Sequence, residues 1–519
     1  MVSSACRRDP DVPAMIFEDG VVVARIDLLD RAERFAAYLR ERIKPGERVA
    51  IMLENRAEFM IAWLAVIANR ATLVPINPSA RLADSGHVLR DSEAVLVIAG
   101  ASVKGLLDHL RPECPRLRGI IIVGDGEPGG LDHLRASGDR MSFADLDLDL
   151  HDIANIYYTS GSTGIPKGCM LDHEYWARFS DILVRLYGFD RESRTLCCLQ
   201  FFYADPSWLL LVALHTGSTL VVMRKFSVSR FWNVVRKHRV THLFGIGSIP
   251  TLLIKAPPSP EDRDHTVKLA VQVGIPASLH RDLVARWGVP WVEAYGLTES
   301  GPVIAMPLEF ADAMMGSGSI GLPCPEVRVR VVDAQDEEVG VDQPGEIVLQ
   351  APGMMRGYLN RPDATAEMMR GGWMHTGDIG RIDHRGFVYL LGRKKDIVRR
   401  GGENVSAAEV EAVLRSHPAI LDAAVVAVPD ALRGEEVKAY VVRLEGSPVT
   451  GASPEDLVRF CSDRLAAYKV PRYFEFRDRD FPRTASMRVN KKELMEQQGA
   501  LPGQSWDRES QEARGRLGN

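Results

Sequence analysis

Short apolar runs alternate with amphipathic stretches along the first four hundred residues. Residues 48–53 (RVAIML) and 71–77 (ATLVPIN) are predicted strands, and residues 57–70 between them are a predicted helix that is apolar on most faces. Continuous runs of Val, Ile and Leu between helices are typical of strands buried on both faces, so we predict an α/β fold with parallel-type sheets. Further runs of this kind occupy residues 94–100, 119–125, 218–223, 241–247 and 269–274.

The pattern changes after about residue 316. Residues 326–333 (EVRVRVVD) and 345–352 (GEIVLQAP) alternate apolar and polar positions. This alternation is typical of half-exposed antiparallel strands. We therefore predict a small antiparallel β unit within the large N-terminal domain.

A compact unit follows the segment GRKKD at residues 392–396. Ser406 and Ser453 are predicted N-caps of two amphipathic helices, because each precedes an acidic residue in the first helical turn. Together with two apolar runs, these helices predict a small α+β domain of about 120 residues. The predicted helices are residues 404–417 and 453–468, and the predicted strands are residues 422–429 and 437–444.

The totals of the chain narrow the classes of function. Its 519 residues are too many for one core, and its apolar (46%) and charged (26%) contents are ordinary for a globular protein. A net charge of −5 offers no basic surface, so we do not expect nucleic acid as a partner. Seven cysteines without a CxxC spacing predict reduced, buried thiols. Without an apolar signal core or spanning segment, we expect a cytoplasmic protein with no membrane anchor, and the sequence sets no oligomeric state.

Residues 153–170 (IANIYYTSGSTGIPKGCM) join an apolar run to a segment rich in glycine and hydroxyl residues. Glycine permits conformations in which successive backbone N–H groups point into one concavity and hold an anion. This is not a Walker loop, because a proline precedes the lysine and a glycine follows it. The predicted phosphate-binding residues are Thr159, Ser160, Gly161, Ser162, Thr163 and Lys167.

The segment YYTSGSTGIPKG resembles the signature loop of the adenylate-forming (AMP-binding) superfamily. That superfamily includes acyl- and aryl-CoA synthetases, peptide-synthetase adenylation domains and firefly luciferase. Five ordered motifs cover nearly the whole chain. The resemblance implies that ATP adenylates an organic acid with release of pyrophosphate, and that a second nucleophile, usually coenzyme A, displaces AMP. The other four motifs are VEAYGLTES (292–300), GWMHTGD (372–378), GRKKDIVRRGGENVSAAEVE (392–411) and a degenerate PRTASMRVNKKEL (482–494).

The resemblance also implies roles around ATP. Tyr295 is expected against the adenine, Thr298 is expected to donate to the α-phosphate, and Glu299 is expected to hold Mg²⁺. Asp378 is expected to accept the ribose hydroxyls, since a carboxylate is a natural bidentate acceptor, and Arg393 to reach the ribose or α-phosphate. Gly274, Ile275 and Pro276 are expected at the adenine, and the remaining residues expected to bind ATP are Ala294 and Gly296.

Lys395 occupies the hinge position of the family. Family members are thought to rotate a small C-terminal domain between the two half-reactions, and a hinge needs few residues with freedom in φ and ψ. This implies an N-terminal domain of residues 1–394 and a mobile C-terminal lid domain of residues 395–519. Residues 399–404 (RRGGEN) are expected to face coenzyme A, and the polar segment from about residue 498 to residue 519 is expected to be disordered.

The last motif departs from the family pattern. Most relatives carry Gly-Lys where this chain has Met487 and Arg488, and that lysine bridges the substrate carboxylate and the α-phosphate. Arginine keeps the charge but is planar and bulkier than lysine. Three interpretations stay open: Arg488 substitutes for the lysine, a neighbour such as Lys491 reaches instead, or the chemistry has changed. Substitution is the interpretation we favour.

A second departure lies in the predicted acyl pocket. The segment LQFFYADPSW (199–208) has Tyr203 where many acyl- and aryl-CoA synthetases have histidine, and Asp205 follows. A carboxylate near an acyl pocket would suit an amine or a quaternary ammonium group. Alternatively, Asp205 caps a helix that begins at Pro206–Ser207.

Three functions follow from these residues. The first is an ATP-dependent, AMP-forming ligase that acts on a small organic acid and uses Mg²⁺, with coenzyme A as the acceptor. The second is a diazotase that activates nitrite with ATP and condenses it with an aryl amine. The third is a non-catalytic adenylate-binding protein. It is disfavoured by four intact residues, which are Thr298, Glu299, Asp378 and Arg393.

Overall fold

The computed structural model describes residues 1–124, 139–159, 166–444, 452–483, 489–498 and 505–510. Two large sheets and their flanking helices take up the chain as far as residue 393, and a third sheet lies beyond it. This mixed α/β architecture, with a large N-terminal part and a smaller C-terminal part, is the predicted fold class. The helices are α1 (Val2–Arg8), α2 (Arg25–Arg40), α3 (Ala57–Ala68), α4 (Leu82–Asp91), α5 (Lys104–Leu110), α6 (His173–Tyr187), α7 (Ala204–Thr216), α8 (Val228–Lys237), α9 (Ile249–Lys255), α10 (Ala277–Trp287), α11 (Pro362–Met368), α12 (Ala407–Ser416), α13 (Pro454–Ser462) and α14 (Lys491–Gln498).

The first sheet has thirteen strands in one hydrogen-bonded path. Its strands pair in parallel from β1 through β10, β9, β11 and β12 to β13, and antiparallel from β13 onward through β14, β15, β20, β19, β17 and β16; β2 closes the other edge. The predicted antiparallel unit therefore continues the parallel sheet. The strands are β1 (Pro13–Phe17), β2 (Val22–Ala24), β9 (Arg194–Cys197), β10 (Thr219–Val222), β11 (His242–Ile246), β12 (Leu269–Val273), β13 (Trp291–Leu297), β14 (Gly301–Ala305), β15 (Ser319–Pro323), β16 (Arg328–Val332), β17 (Gly345–Gln350), β19 (Met374–Ile382) and β20 (Val388–Arg393).

The second sheet has seven strands in the order β18-β8-β7-β4-β3-β5-β6. Its central pairs are parallel, and β7 and β8 form an antiparallel pair at one side. The predicted apolar helix is α3, of which every residue except Ile67 is buried. Burial on all faces follows from its position in the main apolar core, to which both sheets contribute. The strands are β3 (Arg48–Met52), β4 (Thr72–Pro75), β5 (Leu96–Gly100), β6 (Gly119–Val123), β7 (Ile153–Thr159), β8 (Lys167–Asp172) and β18 (Gly357–Tyr358).

The third sheet and its helices form what we call the C-terminal unit (residues 397–510). Its apolar residues form two clusters separate from the main core. The predicted caps are present, because Ser406 Oγ accepts the N–H of Glu409 and Ser453 Oγ accepts the N–H of Asp456. The strands are β21 (Ile397–Arg400), β22 (Glu403–Ser406), β23 (Ile420–Asp430), β24 (Gly434–Arg443), β25 (Tyr473–Arg477) and β26 (Trp506–Asp507).

Strand β26 shows that the prediction of disorder from residue 498 onward was wrong for residues 505–510. Trp506 pairs with Phe474 of β25, and their rings lie 6.1 Å apart. Asp507 accepts hydrogen bonds from Arg472 at 3.0 and 3.2 Å. The polar composition of this segment gave no sign that Trp506 pairs with β25 or that Asp507 binds Arg472, which directly precedes β25.

The cysteines agree with the prediction made from the sequence. All seven cysteines are buried and none forms a disulfide, as predicted. Among the helices of the described segments, none combines the length and the apolar character that crossing a bilayer requires.

Candidate nucleotide- and substrate-binding site

The predicted nucleotide residues gather where strands β12 and β13 of the first sheet end. Gly274, Ile275 and Pro276 directly follow β12, and Thr298 and Glu299 directly follow β13. These two strands are neighbouring and parallel, and the pairing turns antiparallel at the next strand, β14. In open α/β sheets a ligand binds in the crevice outside the carboxyl ends of the strands where the order changes. The fold therefore brings two separate motifs to one edge. Ala294, Tyr295 and Gly296 lie within β13 itself.

A buried carboxylate holds the turn after β12. Glu293 Oε2 accepts the N–H of Gly274 at 3.0 Å, and Oε1 accepts the N–H of Ile275 at 2.5 Å. Gly274 has a φ of +97°, a left-handed conformation that favours glycine. Burial raises the pKa of Glu293 to about 8, although the two backbone donors act in the opposite direction. Glu293 thus fixes the backbone of the turn that the resemblance places beside adenine.

Asp378 lies at the centre of a second group of polar contacts. It is buried, its Oδ2 accepts the Tyr295 hydroxyl at 2.6 Å, and Arg393 Nε lies 3.0 Å from its Oδ1. Asp378 and Arg393 are direct partners across β19 and β20. Burial, and then the charge of Asp378, raise the pKa of Tyr295 well above its usual range, so the phenol stays a donor. The structure therefore brings Tyr295 together with two residues that lie 83 and 98 positions later in the chain.

Removing the Tyr295 hydroxyl is expected to weaken ATP binding. In Tyr295→Phe, Asp378 loses a charge-assisted hydrogen bond, so the KM for ATP rises about tenfold with a smaller change in kcat. Tyr187→Phe is a matched control, because that buried hydroxyl has no hydrogen-bond partner among the described residues. An unchanged KM in Tyr295→Phe, measured at saturating acid and coenzyme A, would show that Asp378 needs no positioning by Tyr295.

Glu299 connects the two large sheets. It is buried, and its Oε1 accepts the hydroxyl of Tyr358 at 2.7 Å and that of Thr159 at 3.3 Å. Lys167 Nζ lies 5.0 Å from the centre of the Tyr358 ring. Thr298, next to Glu299, is half-buried. The carboxylate thus lies beside the strand end that opens the predicted phosphate loop.

The predicted phosphate loop itself falls mostly outside the described residues, which omit Ser160, Gly161, Ser162 and Thr163. The residues on either side of it are described. Thr159 pairs with Lys167 as the last pair between β7 and β8, so both predicted side chains flank the loop. Their phosphate-binding roles stay predictions.

The donor set at Glu299 suits Mg²⁺. This ion prefers oxygen ligands and is bound through one or two carboxylates together with substrate phosphates. Glu299 Oε1 is engaged by two hydroxyl donors, whereas Oε2 has no hydrogen bond to any residue of the described segments. Glu299 could therefore offer Oε2 to a metal while Tyr358 holds the other oxygen.

The group His151, Asp172 and Glu174 has metal-like spacing but a different occupant. Arg356 Nε lies 2.5 Å from Asp172 Oδ2, and Arg356 Nη2 lies 2.5 Å from His151 Nδ1 and 3.1 Å from Glu174 Oε2. A guanidinium already satisfies these groups, so they do not form a metal site.

The helix at the predicted acyl pocket begins earlier than the sequence indicates. Helix α7 starts at Ala204, and Tyr203 is its N-cap residue without a side-chain capping bond. The prediction that Asp205 caps a helix starting at Pro206–Ser207 was therefore wrong. Asp205 is half-buried in the first turn, and its charge adds to burial in raising the pKa of Tyr157 and Tyr175.

Arg488, the predicted catalytic cation, lies outside the described residues. Its proposed substitute, Lys491, is described. Lys491 Nζ lies 2.7 Å from Glu411 Oε1 and 3.8 Å from Asp396 Oδ2. These ion pairs within the C-terminal part of the chain argue against Lys491 as the cation that bridges the substrate.

The predicted hinge lies on the surface. Lys395 is exposed, and the residue before it, Lys394, extends Nζ to within 3.2 Å of Glu346 Oε2. Glu346 Oε1 accepts the N–H of Gly377, next to Asp378. The chain is thus fixed to the large part of the protein one residue before the predicted pivot. The roles of Lys395 and of the hairpin at residues 399–404 stay predictions.

Two residues of this site, Glu293 and Tyr358, were not found from the sequence. Glu293 lies inside the motif VEAYGLTES, but its partners are backbone N–H groups 18 and 19 residues earlier. Tyr358 lies outside the quoted motifs and reaches Glu299 from the other sheet. Pairings of this kind depend on how the sheets pack, and no local spacing predicts them.

The fold and the site together define a nucleotide-binding enzyme of two unequal parts. Asp378 and Glu299, the carboxylates predicted for the ribose and for a metal, lie within strand β19 and directly after strand β13 of the first sheet. Two family models match the chain: "AMP-binding enzyme" over residues 2–359 and "AMP-binding enzyme C-terminal domain" over residues 409–488. The chain belongs to this AMP-binding enzyme family. It is an AMP-forming ligase of the acyl-CoA ligase type, in which ATP activates an organic acid before transfer to coenzyme A.

Individual relatives share most of the chain. It is 32% identical to a crotonobetaine/carnitine–CoA ligase of Citrobacter koseri over 93% of this chain and 95% of that one. It is 33% identical to a feruloyl-CoA synthase of an Amycolatopsis species over 92% and 94%. ATP-bound MatB from Rhodopseudomonas palustris matches with a TM-score of 0.85 at 29% identity, over 96% and 98% of the two chains. Apo MatB from the same organism matches with a TM-score of 0.75.

Proposed function

We propose that this AMP-forming ligase activates a small organic acid bearing a cationic nitrogen, such as a betaine-like acid. The observation that carries the substrate class is Asp205, which lies half-buried in the first turn of α7 without serving as its cap. A carboxylate there repels an anionic or fatty tail and attracts a cation. One relative is named for crotonobetaine and carnitine, which are acids of this kind. Another is named for ferulate, so names alone do not select the substrate.

The residues around ATP divide the work of the first half-reaction. Asp378, held by Tyr295 and Arg393, accepts the ribose hydroxyls. The turn fixed by Glu293 lies against the adenine. Glu299 would hold Mg²⁺, and the ion would offset the negative charge of the phosphates. Arg488 takes the place of the usual lysine between the acid and the α-phosphate.

In the second half-reaction the C-terminal part of the chain, from residue 395 onward, turns about Lys395. The hairpin of β21 and β22 then faces coenzyme A. Gly401 and Gly402 at its tip have φ angles of +58° and +92°, conformations that favour glycine and let a ligand approach the backbone closely. Displacement of AMP by the thiol completes the reaction.

A matched pair of acids tests the substrate class. The acids 4-(trimethylammonio)butanoate and 5,5-dimethylhexanoate have the same shape, and only the first carries a positive charge. With ATP and Mg²⁺, we expect pyrophosphate exchange to be at least about tenfold faster with the cationic acid. Equal rates, or a preference for the neutral acid, would overturn the proposed substrate class. Ferulate and 4-aminobenzoate extend the panel to aromatic acids, and nitrite with an aryl amine covers the diazotase alternative.

Asp205→Asn is expected to erase that preference. The substitution keeps the shape of the side chain and removes its charge, so the KM for the cationic acid rises about 10- to 30-fold while the KM for the neutral acid is unchanged or lower. Asp108→Asn, at an exposed acid on α5, is the control. Equal losses for both acids would assign Asp205 a structural role instead.

A further inference from the structure

Helix α9 of the large part contacts the C-terminal unit at both of its ends. Ser248, the residue before the helix, accepts a hydrogen bond from Arg483 Nη1 at 2.8 Å. Lys255, the last helical residue, donates to the carbonyl of His417 at 3.3 Å. Both partners belong to the C-terminal unit, so one short helix holds two separate points of that unit.

The Ser248 hydroxyl is directed away from its own helix. Serine at this position commonly accepts an N–H from the first helical turn. Here Ser248 is the N-cap residue of α9 and makes no side-chain capping bond. Its hydroxyl instead meets a guanidinium of the other unit, so replacing Ser248 by alanine removes the contact between the units without removing a cap.

Arg483 is rigidly held on its own side of the contact. Its side chain is 8% exposed, and Nη2 lies 2.7 Å from both Asp422 Oδ2 and Asp480 Oδ1. Arg483 also pairs with Val489 as an isolated antiparallel bridge, and Asn490 donates its N–H to Pro482 O at 2.7 Å. These pairs join the two sides of residues 484–488, the segment that contains Arg488. Ser248 therefore contacts Arg483, which directly precedes the segment that contains the predicted catalytic cation.

Lys255 provides the second contact. Burial lowers the pKa of its ammonium, which is directed at the carbonyl that follows α12. Helix α12 also packs on the neighbouring helix α10. The whole chain matches ATP-bound MatB with a TM-score of 0.85 and apo MatB with a TM-score of 0.75, so it resembles the ATP-bound structure more closely.

We propose that Ser248 and Lys255 are positioning residues that hold the C-terminal unit in the orientation for adenylation, and that they act in the first half-reaction only. The proposal rests on the proposed function for its half-reactions. Both residues contact the C-terminal unit rather than the reacting atoms. They act through Arg483 and His417 of the C-terminal unit, and Arg483 directly precedes residues 484–488 in the chain.

The kinetic test separates the two half-reactions. In Ser248→Ala we expect pyrophosphate exchange, measured with the most active acid of the panel, to fall about five- to tenfold, because a hydrogen bond to a charged group is lost. Thioester formation from the isolated acyl-adenylate and coenzyme A should stay within about twofold of wild type. Ser248→Thr keeps the hydroxyl and should restore exchange. Equal losses in both half-reactions would overturn the proposal.

Lys237→Met is a matched control for Lys255→Met. Lys237 also donates to a backbone carbonyl, that of Glu18 at 2.9 Å, but within the large part of the protein. We expect Lys255→Met to lower exchange about fivefold and Lys237→Met to leave it unchanged. If both variants lose exchange equally, the contact with His417 has no special role.

A distance measurement decides the proposal even if no acid of the panel is a substrate. All seven cysteines are buried, so spin labels can be directed to Arg185→Cys on α6 and Leu432→Cys on the C-terminal unit, both exposed. With ATP and Mg²⁺ we expect one dominant distance between the labels. Ser248→Ala and Lys255→Met should each shift population to other distances. An unchanged distribution in both variants would refute the orientation role, whereas silence of the acid panel alone would refute only the proposed function.

Discussion

Replacing Glu299 by glutamine is expected to abolish most of the first half-reaction. Glutamine keeps an oxygen that can accept the Tyr358 and Thr159 hydroxyls, so the local packing is preserved. It removes the negative charge that would bind Mg²⁺ at the phosphates. Pyrophosphate exchange should fall by at least about 100-fold, since charge stabilisation at a reacting phosphate is worth that much. The acyl-adenylate should still form thioester at nearly the wild-type rate, because pyrophosphate has already left.

Tyr358→Phe tests the same metal site with a smaller expected effect. The phenol donates to Glu299 at 2.7 Å, and loss of a group that orients a metal ligand costs about 10- to 100-fold in metal affinity. The readout is binding of Mn²⁺ to the enzyme–ATP complex, followed by electron paramagnetic resonance, which does not depend on turnover. Two results together would show that the metal does not bind at this position. They are pyrophosphate exchange within threefold of wild type in Glu299→Gln and unchanged Mn²⁺ binding in Tyr358→Phe.

The architecture was predictable because short runs of apolar residues indicate which strands are buried. Strands β3, β5, β11 and β12 are mostly apolar, as parallel strands covered on both faces must be. The caps at Ser406 and Ser453 were equally local. Such signals need only a few neighbouring residues.

The details that sequence missed depend on distant partners. The N-terminal end of α7 was placed at Pro206 because proline favours the first turn, but the helix begins at Ala204. Trp506 was assigned to a polar, disordered tail, because its pairing with β25 is not visible in the local sequence. The pairing of Glu293 with the turn at Gly274 and Ile275 likewise needs two strands to lie side by side.

The residues of the site were predictable from the sequence, but their contacts with one another were not. The motifs named Tyr295, Asp378 and Arg393 separately, each with its own role toward ATP. The structure adds that Asp378 already engages both of the other side chains. A ribose bound at Asp378 would therefore share this carboxylate with Tyr295 and Arg393, a constraint that no single motif contains.

Arg488→Ala is expected to lower pyrophosphate exchange by about 10²- to 10³-fold, the loss typical of removing one preorganised charge from a reacting centre. Arg488→Lys should retain activity within about tenfold of wild type, because a compact ammonium keeps the charge but loses the planar fork. Lys491→Met is the control for a competing cation: its ammonium is paired with Glu411 and Asp396, so exchange should change little. If Lys491→Met were as damaging as Arg488→Ala, the bridging charge would come from Lys491. If alanine and lysine at position 488 gave equal, near-wild-type rates, the bridging cation would not be Arg488. The ratio of the exchange rates of Arg488→Ala and Arg488→Lys thus measures what the positive charge contributes. The ratio of the exchange rates of Arg488→Lys and the wild type measures what the guanidinium adds beyond that charge.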